Sequence, residues 1–360
     1  MFLLGSRGSF AALSMTTRFT RDCRARILGA DTMKQLPAKL IVVAVSALFA
    51  SLAAAQTPAP EIPDWVYPLP VRGSGGGAAR PDTAKVFHVP NSTIGYTMRE
   101  IGNTFDPPDW HPTTHTKPPE IVAHGRKPAI YACGFCHLPD GRGRPENATL
   151  AGLPADYIVQ QMMDIASGAR RSASSKPSRP MELMKQMAES STVAEMKQAA
   201  AYFAKQKLRY SPRVIESTTV PKTHPSTGLY VKDAGTDVDS LGNRIIEFAS
   251  DPERHEIRDA ATEYVAYVPV GSIARGRAIA TKTTKANPKP CVSCHGETLR
   301  GVKLVPPIAG RSPTYLMRQL LAFKAGTRSS KEGAPMREVV EKLSVDDLIA
   351  VAAYVASRKP

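Results

Sequence analysis

Near the end of the chain, apolar residues fall at Val345, Leu348, Ile349, Ala352 and Val355, the spacing of a helix with one buried face. Ser344 precedes this run and Asp347 stands three residues on, which predicts a side-chain cap at the helix start. Val193, Met196, Ala200 and Phe203 follow Thr192 in the same way, with Glu195 in the acidic position. Two further helices are predicted, at about 313–324 and 155–166, each closed by a Gly and an Arg that mark the exit into a loop. Elsewhere the pattern changes. Residues 56–116 are rich in Pro and Gly, including Gly73-Ser74-Gly75-Gly76-Gly77 and Pro107-Pro108-Asp109-Trp110-His111-Pro112, and read as loop. Residues 211–268 carry two short runs, Arg244–Phe248 and Tyr264–Val268, that are predicted to pair as strands.

The two helical stretches repeat one another. At an offset of 158 residues, Ala151-Gly152 matches Ala309-Gly310, Tyr157 matches Tyr315, Gln161 matches Gln319, Gly168 matches Gly326 and Arg170 matches Arg328. The offset then becomes 152, where Met184 matches Met336, Thr192 matches Ser344 and Ala201-Tyr202 matches Ala353-Tyr354. So long a period means duplication of a domain rather than a solenoid. The expected architecture is mainly α, with two helical domains in tandem at 117–210 and 269–360. A loop-rich N-terminal extension, 56–116, and a partly β insertion between the domains, 211–268, complete it.

Residues 1–55 read as a signal region. A basic start at Met33-Lys34 leads into the apolar run Leu40 to Leu52 and then Ala53-Ala54-Ala55, so translation is expected to begin at Met33 and cleavage to follow Ala55. The apolar run is short for a membrane span, which needs about 20 residues. The expected location is therefore the periplasm. The formal net charge of +15 raises the question of a nucleic-acid partner, but the basic residues are spread along the chain and form no phosphate-tracking block.

Five cysteines are present, and Cys23 lies in the signal region. The other four form Cys133-Gly134-Phe135-Cys136-His137 and Cys291-Val292-Ser293-Cys294-His295. C-x-x-C-H is the haem c attachment pattern: two thiols three positions apart reach the two vinyl groups of one haem, and the next histidine lies under the ring to bind iron. A zinc ribbon would place its two knuckles about 15–20 residues apart, whereas these lie 158 apart. No strand–helix pattern surrounds either motif to suggest a thioredoxin-like pair, and simple disulfides would not need a histidine after each. The expected cofactors are two haem c, held by Cys133 and Cys136, and by Cys291 and Cys294, with His137 and His295 on iron.

Together with Ala309-Gly310, Tyr315, Gln319, Gly326-Thr327-Arg328, Met336 and the closing Ala352-Ala353-Tyr354 helix, these motifs resemble the class I cytochromes c, and in particular the two-domain dihaem cytochromes of the c4 type. The resemblance covers about half of the chain. It implies a small all-α fold around each haem, with His and Met as axial ligands and the methionine supplied by the loop after the middle helix. Met336 takes that place in the second copy. In the first, Met184 matches it by distance from the helix tyrosine, while Met181 follows Pro180 just as Met336 follows Pro335. Met187 and Met317 read as core. The resemblance also implies that a proline carbonyl a dozen residues after each haem histidine accepts its ring N–H. Pro307 is there after His295, but Thr149 stands in the matching place after His137, so the two haems are expected to differ in potential.

His88, His111, His115, His124, His224 and His255 lie outside the motifs and read as ordinary loop or surface residues. The functional expectation is one-electron transfer by a protein that is not itself an enzyme. It would serve as a soluble carrier or as the cytochrome subunit of a redox complex, with other redox proteins as partners, including a membrane-bound respiratory or dehydrogenase complex. The alternative is a dihaem redox enzyme, of peroxidase or thiosulfate-oxidising type, with one open or exchangeable haem site.

Overall fold

In each half, short polar signals decide where a helix starts and stops. In the second half, α8 (Ser272–Thr281), α9 (Val292–His295), α10 (Pro313–Lys324), α11 (Ala334–Glu341) and α12 (Val345–Ala356) follow in order. Pro313 occupies the first position of α10, where its missing N–H costs nothing, and Ser312 Oγ accepts the Tyr315 N–H at 3.1 Å. Ser344 and Asp347 form a reciprocal capping box at the start of α12. The first half repeats the series with α2 (Glu120–Ala123), α3 (Cys133–His137), α4 (Ala155–Ala166), α5 (Arg179–Ser190) and α6 (Val193–Ala204), the last capped by Thr192 and Glu195. The two middle helices have the bounds that the sequence pattern suggests.

The structure is a computed structural model, and it describes residues 61–69, 84–176, 178–209, 211–226, 228–283 and 287–360. The signal region with Met33, Ala55 and Cys23, and the Gly73–Gly77 stretch, lie outside the described residues. Among the described residues no helix is long and apolar enough to cross a membrane.

The halves differ in their first helix. In the second half, α12 is buried all round from Leu348 to Ala356 and crosses α8 at Gly276, where a Cβ would overlap the Ala350 carbonyl. Only glycine permits that approach of backbone to backbone. In the first half the corresponding helix shrinks to the four residues of α2, because Pro118 and Pro119 stand where its middle turns would be.

The region between the halves is partly β. Strand β8 (Ile246–Ala249) pairs antiparallel with β9 (Tyr264–Val268), Ile246 opposite Tyr267 and Ala249 opposite Tyr264. Strand β3 (Arg213–Glu216) joins the other side of β9 in parallel. Both runs singled out in the sequence are thus strands of one sheet, and all four residues of β8 are buried, Glu247 included. Ahead of the first half, a two-residue-per-strand hairpin (Val86–Phe87 with Tyr96–Thr97) and Trp110 pack on Ile257, whose carbonyl accepts the indole N–H at 2.8 Å. The loop-rich extension and the insertion therefore share a small core. All described residues belong to one compact unit.

Candidate functional site

Each C-x-x-C-H motif folds into one helical turn that ends at a residue with positive φ, Leu138 at 62° and Gly296 at 79°. The backbone reverses there and returns over the histidine. Gly143 N–H then bonds the His137 carbonyl at 2.8 Å, and Gly301 N–H the His295 carbonyl at 2.9 Å. The two loops are copies in geometry as well as in sequence spacing.

The ring of His137 donates from Nδ1 to the Ala148 carbonyl at 2.8 Å, and the ring of His295 donates from Nδ1 to the Pro306 carbonyl at 2.8 Å. This corrects the expectation for Pro307, whose carbonyl instead accepts Arg311 Nε at 2.7 Å. The true acceptor is one residue earlier, and it is a backbone oxygen, so the side chain in that place does not matter. Ala148 does for His137 what Pro306 does for His295, and the absence of proline in the first half gives no reason for the potentials to differ. With Nδ1 protonated, each ring leaves Nε2 as its unprotonated nitrogen, and no described residue hydrogen-bonds to it. Burial pushes both histidines below their ordinary value, which keeps them neutral, the form a metal needs.

The four thiols are free. Burial pushes Cys133 up to about 12 and Cys291 up to about 11, so both stand as thiols. The donor set fits covalently bound haem c: two unbridged thiols and a neutral imidazole with an open Nε2, twice over.

The candidate methionines lie in helices rather than loops, because Pro180 and Pro335 each start a new helix within its first turn. Met181 and Met184 share one apolar cluster with Met162, Ile165, Ala188 and Met196. Met336 packs at the edge of the cluster that buries Met317 completely. Met187 turns elsewhere, its sulfur accepting the Tyr131 N–H at 3.1 Å. Several of the other histidines pair with carboxylates. His111 meets Asp259 at 2.8 Å, His115 meets Asp109 at 3.1 Å and His224 meets Asp233 at 2.6 Å. Among the described residues there is no group of three or more His, Cys, Asp or Glu placed to hold a metal ion.

A third feature was visible in the sequence only as matched letters. Arg170 donates to Tyr315 Oη at 2.8 Å and Gln319 Oε1 at 2.9 Å in the other half, and to Gln161 Oε1 at 3.0 Å in its own. Arg328 reciprocates, reaching Gln161 Oε1 at 2.5 Å across the boundary and Gln319 Oε1 at 3.3 Å. Arg171 N–H bonds the Thr327 carbonyl at 2.9 Å, and Ser329 N–H bonds the Ala169 carbonyl at 2.7 Å. The repeat-matched Tyr, Gln and Arg are thus the seam where the halves meet about a local pseudo-twofold. The clue was that Tyr157 and Gln161 share a helix face, one turn apart, and that both copies keep them. Arg311 adds an unpaired stitch, donating to the carbonyls of Thr149 at 2.8 Å and Ala151 at 3.0 Å.

A helical fold presenting paired thiols and a carbonyl-tethered imidazole in one turn defines a c-type cytochrome. The cytochrome c family model matches residues 273–359. Cytochrome c-554(548) of Halomonas halodenitrificans is 34% identical over 70 residues, which are 19% of this chain and 84% of that protein. The thiosulfate dehydrogenase electron acceptor of Stutzerimonas stutzeri is 28% identical over 237 residues, covering 65% of this chain and 82% of that one. Cytochrome c4 of Azotobacter vinelandii is 25% identical over 227 residues, 62% of this chain and 82% of that one. A solved thiosulfate dehydrogenase (TsdBA) from Marichromatium purpuratum aligns with a TM-score of 0.42 and 26% identity, over 65% of this chain and only 38% of its own length. The chain belongs to the cytochrome c family, is similar to cytochrome c4, and is an electron-carrying cytochrome with haem c as its cofactor.

Proposed function

We propose that this protein carries two haem c groups and passes electrons one at a time between redox proteins in the periplasm, without being an enzyme itself. The observation that carries the reading is the twinned donor set: two attachment turns, each with its histidine tethered at Nδ1 by a backbone carbonyl at 2.8 Å and open at Nε2. Cys133 and Cys136 would hold one haem by thioethers and Cys291 and Cys294 the other. His137 and His295 would ligate the iron, as would Met184 and Met336, with Met181 as the alternative to Met184. Bound haem would supply the Fe(II)/Fe(III) couple, and a methionine thioether on iron would raise its potential. The chain's own part is to exclude water, to fix each imidazole and to join the halves. The relative named as an electron acceptor of thiosulfate dehydrogenase supports a dehydrogenase as the donor, with this chain as free carrier or as its cytochrome subunit.

The test is an optical spectrum of the exported holoprotein, oxidised and reduced, with and without carbon monoxide, alongside the haem-to-protein ratio. Two haems per chain, low-spin spectra, a methionine–iron charge-transfer band at the red edge and no response to carbon monoxide are expected. A high-spin fraction, or carbon monoxide binding to half the haem, would replace this reading with the dihaem redox enzyme.

A further inference from the structure

The two attachment turns share a backbone path but not an electrostatic setting. At the first, Arg258 of the insertion lays its guanidinium 3.6 Å over the Phe135 ring, between the two cysteines, and donates to the Phe135 carbonyl at 2.7 Å. Two neighbouring carboxylates are taken, Glu146 by Arg144 at 2.8 Å and Asp259 by Arg254 at 2.5 Å, and among the described residues no carboxylate pairs with Arg258. Burial pushes its pKa down to about 10, which leaves it a cation at neutral pH.

The chain fixes this cation at a conformational cost. Arg258 has φ 61°, in the left-handed region that residues other than glycine rarely adopt. Both of its neighbours are pinned: the Ile257 carbonyl accepts the Trp110 indole N–H at 2.8 Å, and buried Asp259 also meets His111 at 2.8 Å. Such over-determined strain gathers where position matters to function.

Its charge reaches a group that would hold the first haem. Burial raises the Cys136 thiol, and Arg258 and then Arg144 pull against that rise. The second turn is set differently. Ser293 matches Phe135, is exposed, and donates to the Pro290 carbonyl of its own turn at 2.6 Å. Val302 stands in the place of Arg144, and Arg300, which matches Arg142, faces solvent, where its field is screened. Burial raises Cys291 with no cation opposing it among the described residues.

Reduction of Fe(III) to Fe(II) removes one positive charge, with no bond made or broken, so a fixed cation nearby favours the reduced form. Resting on the two-haem electron-carrier reading above, we propose that Arg258 sets the two haems apart: its cation at the first attachment turn raises the potential of the first haem above that of the second. The first electron the chain accepts therefore rests in the first half. Arg258 acts through the attachment turn, as a positioned charge, and the insertion is what positions it.

Spectroelectrochemical titration of the full-length, haem-loaded protein at neutral pH tests this. Wild type is expected to show two one-electron waves. Arg258→Gln removes the charge and keeps a donor, and is expected to lower the higher wave alone, by about tenfold in the one-electron equilibrium, or about 59 mV. Arg258→Lys keeps the charge and is expected to leave that wave near its wild-type place. Arg300→Gln, at an exposed cation of the second turn, is expected to move neither wave. A single wave in wild type, an unmoved higher wave in Arg258→Gln, or a fall of the lower wave in its place overturns the proposal. A fall in Arg258→Lys as large as in Arg258→Gln also overturns it, since packing rather than charge would then be at work. The haem-to-protein ratio and carbon monoxide binding are recorded on the same samples. Fewer than two haems in wild type, or haem that binds carbon monoxide there, marks failure of the carrier reading, whereas two closed haems with an unmoved wave mark failure of the role of Arg258 alone.

Discussion

Glu247 is a carboxyl group buried in a strand, with Ser312 Oγ donating to it at 2.6 Å and the Thr314 N–H at 3.2 Å. Burial, the largest influence, raises its pKa despite these bonds. A carboxyl whose folded pKa is raised binds its proton more tightly in the native state. Its stabilising effect is therefore complete below the ordinary carboxylate value of about 4.3 and is lost as pH climbs through the raised value. Glu247→Gln keeps an acceptor oxygen and removes the titration, so the Tm of the variant is expected to fall less than wild type between acid and neutral pH. Parallel Tm–pH curves would refute this. The methionines make a second prediction at this scale. Met336→Ala should abolish one charge-transfer band and open one haem to carbon monoxide, and Met184→Ala should do the same for the other. If Met181→Ala does so in place of Met184→Ala, the helix position after Pro180 sets the ligand rather than distance from Tyr202.

Among the elements, helix boundaries follow from local chemistry and helix crossings do not. The capping boxes at Thr192 and Ser344 each satisfy backbone N–H groups that the first turn leaves open. Thr192→Ala and Ser344→Ala are expected to cost about 1 kcal/mol each in denaturant unfolding. Gly276 acts over a longer range. A side chain there meets the Ala350 carbonyl and the Tyr354 Cβ, both on a helix with no free space behind it. Gly276→Ala must push α8 away from α12, and a loss of about 3 kcal/mol is expected, well beyond its gain in helix propensity. A stability equal to or above wild type would show that the crossing can open at little cost. Gly276 is one letter among the 25 glycines of the chain, and nothing beside it in sequence marks the helix it meets.

For the whole molecule, the seam between the halves is the feature that makes one unit of two copies. Gln161 and Gln319 each accept from both Arg170 and Arg328, so the two arginines share their acceptors. Arg170→Ala and Arg328→Ala should therefore be non-additive, with a coupling of about 1–2 kcal/mol in a double-mutant cycle read by urea unfolding. Additive losses would mean that the two arginines act separately. The insertion works at the same scale: β8 supplies Glu247 to the start of α10, while Arg258 clamps the attachment turn of the other half. It thus clamps the first motif. What the sequence determined by itself is whatever depends on neighbours along the chain. The C-x-x-C-H turns, the caps and the helix periods have their causes within a few residues, the duplication shows as the same letters repeated, and the C-x-x-C-H motifs sufficed to identify the cofactor class. Tertiary structure alone decided that Pro306 and Ala148, not Pro307, hold the histidines, because a return loop sets that register. It also decided that the matched Tyr, Gln and Arg form a seam and that the insertion clamps the first attachment turn. The seam and the clamp rest on contacts between residues more than a hundred apart, and such contacts leave no local period to read.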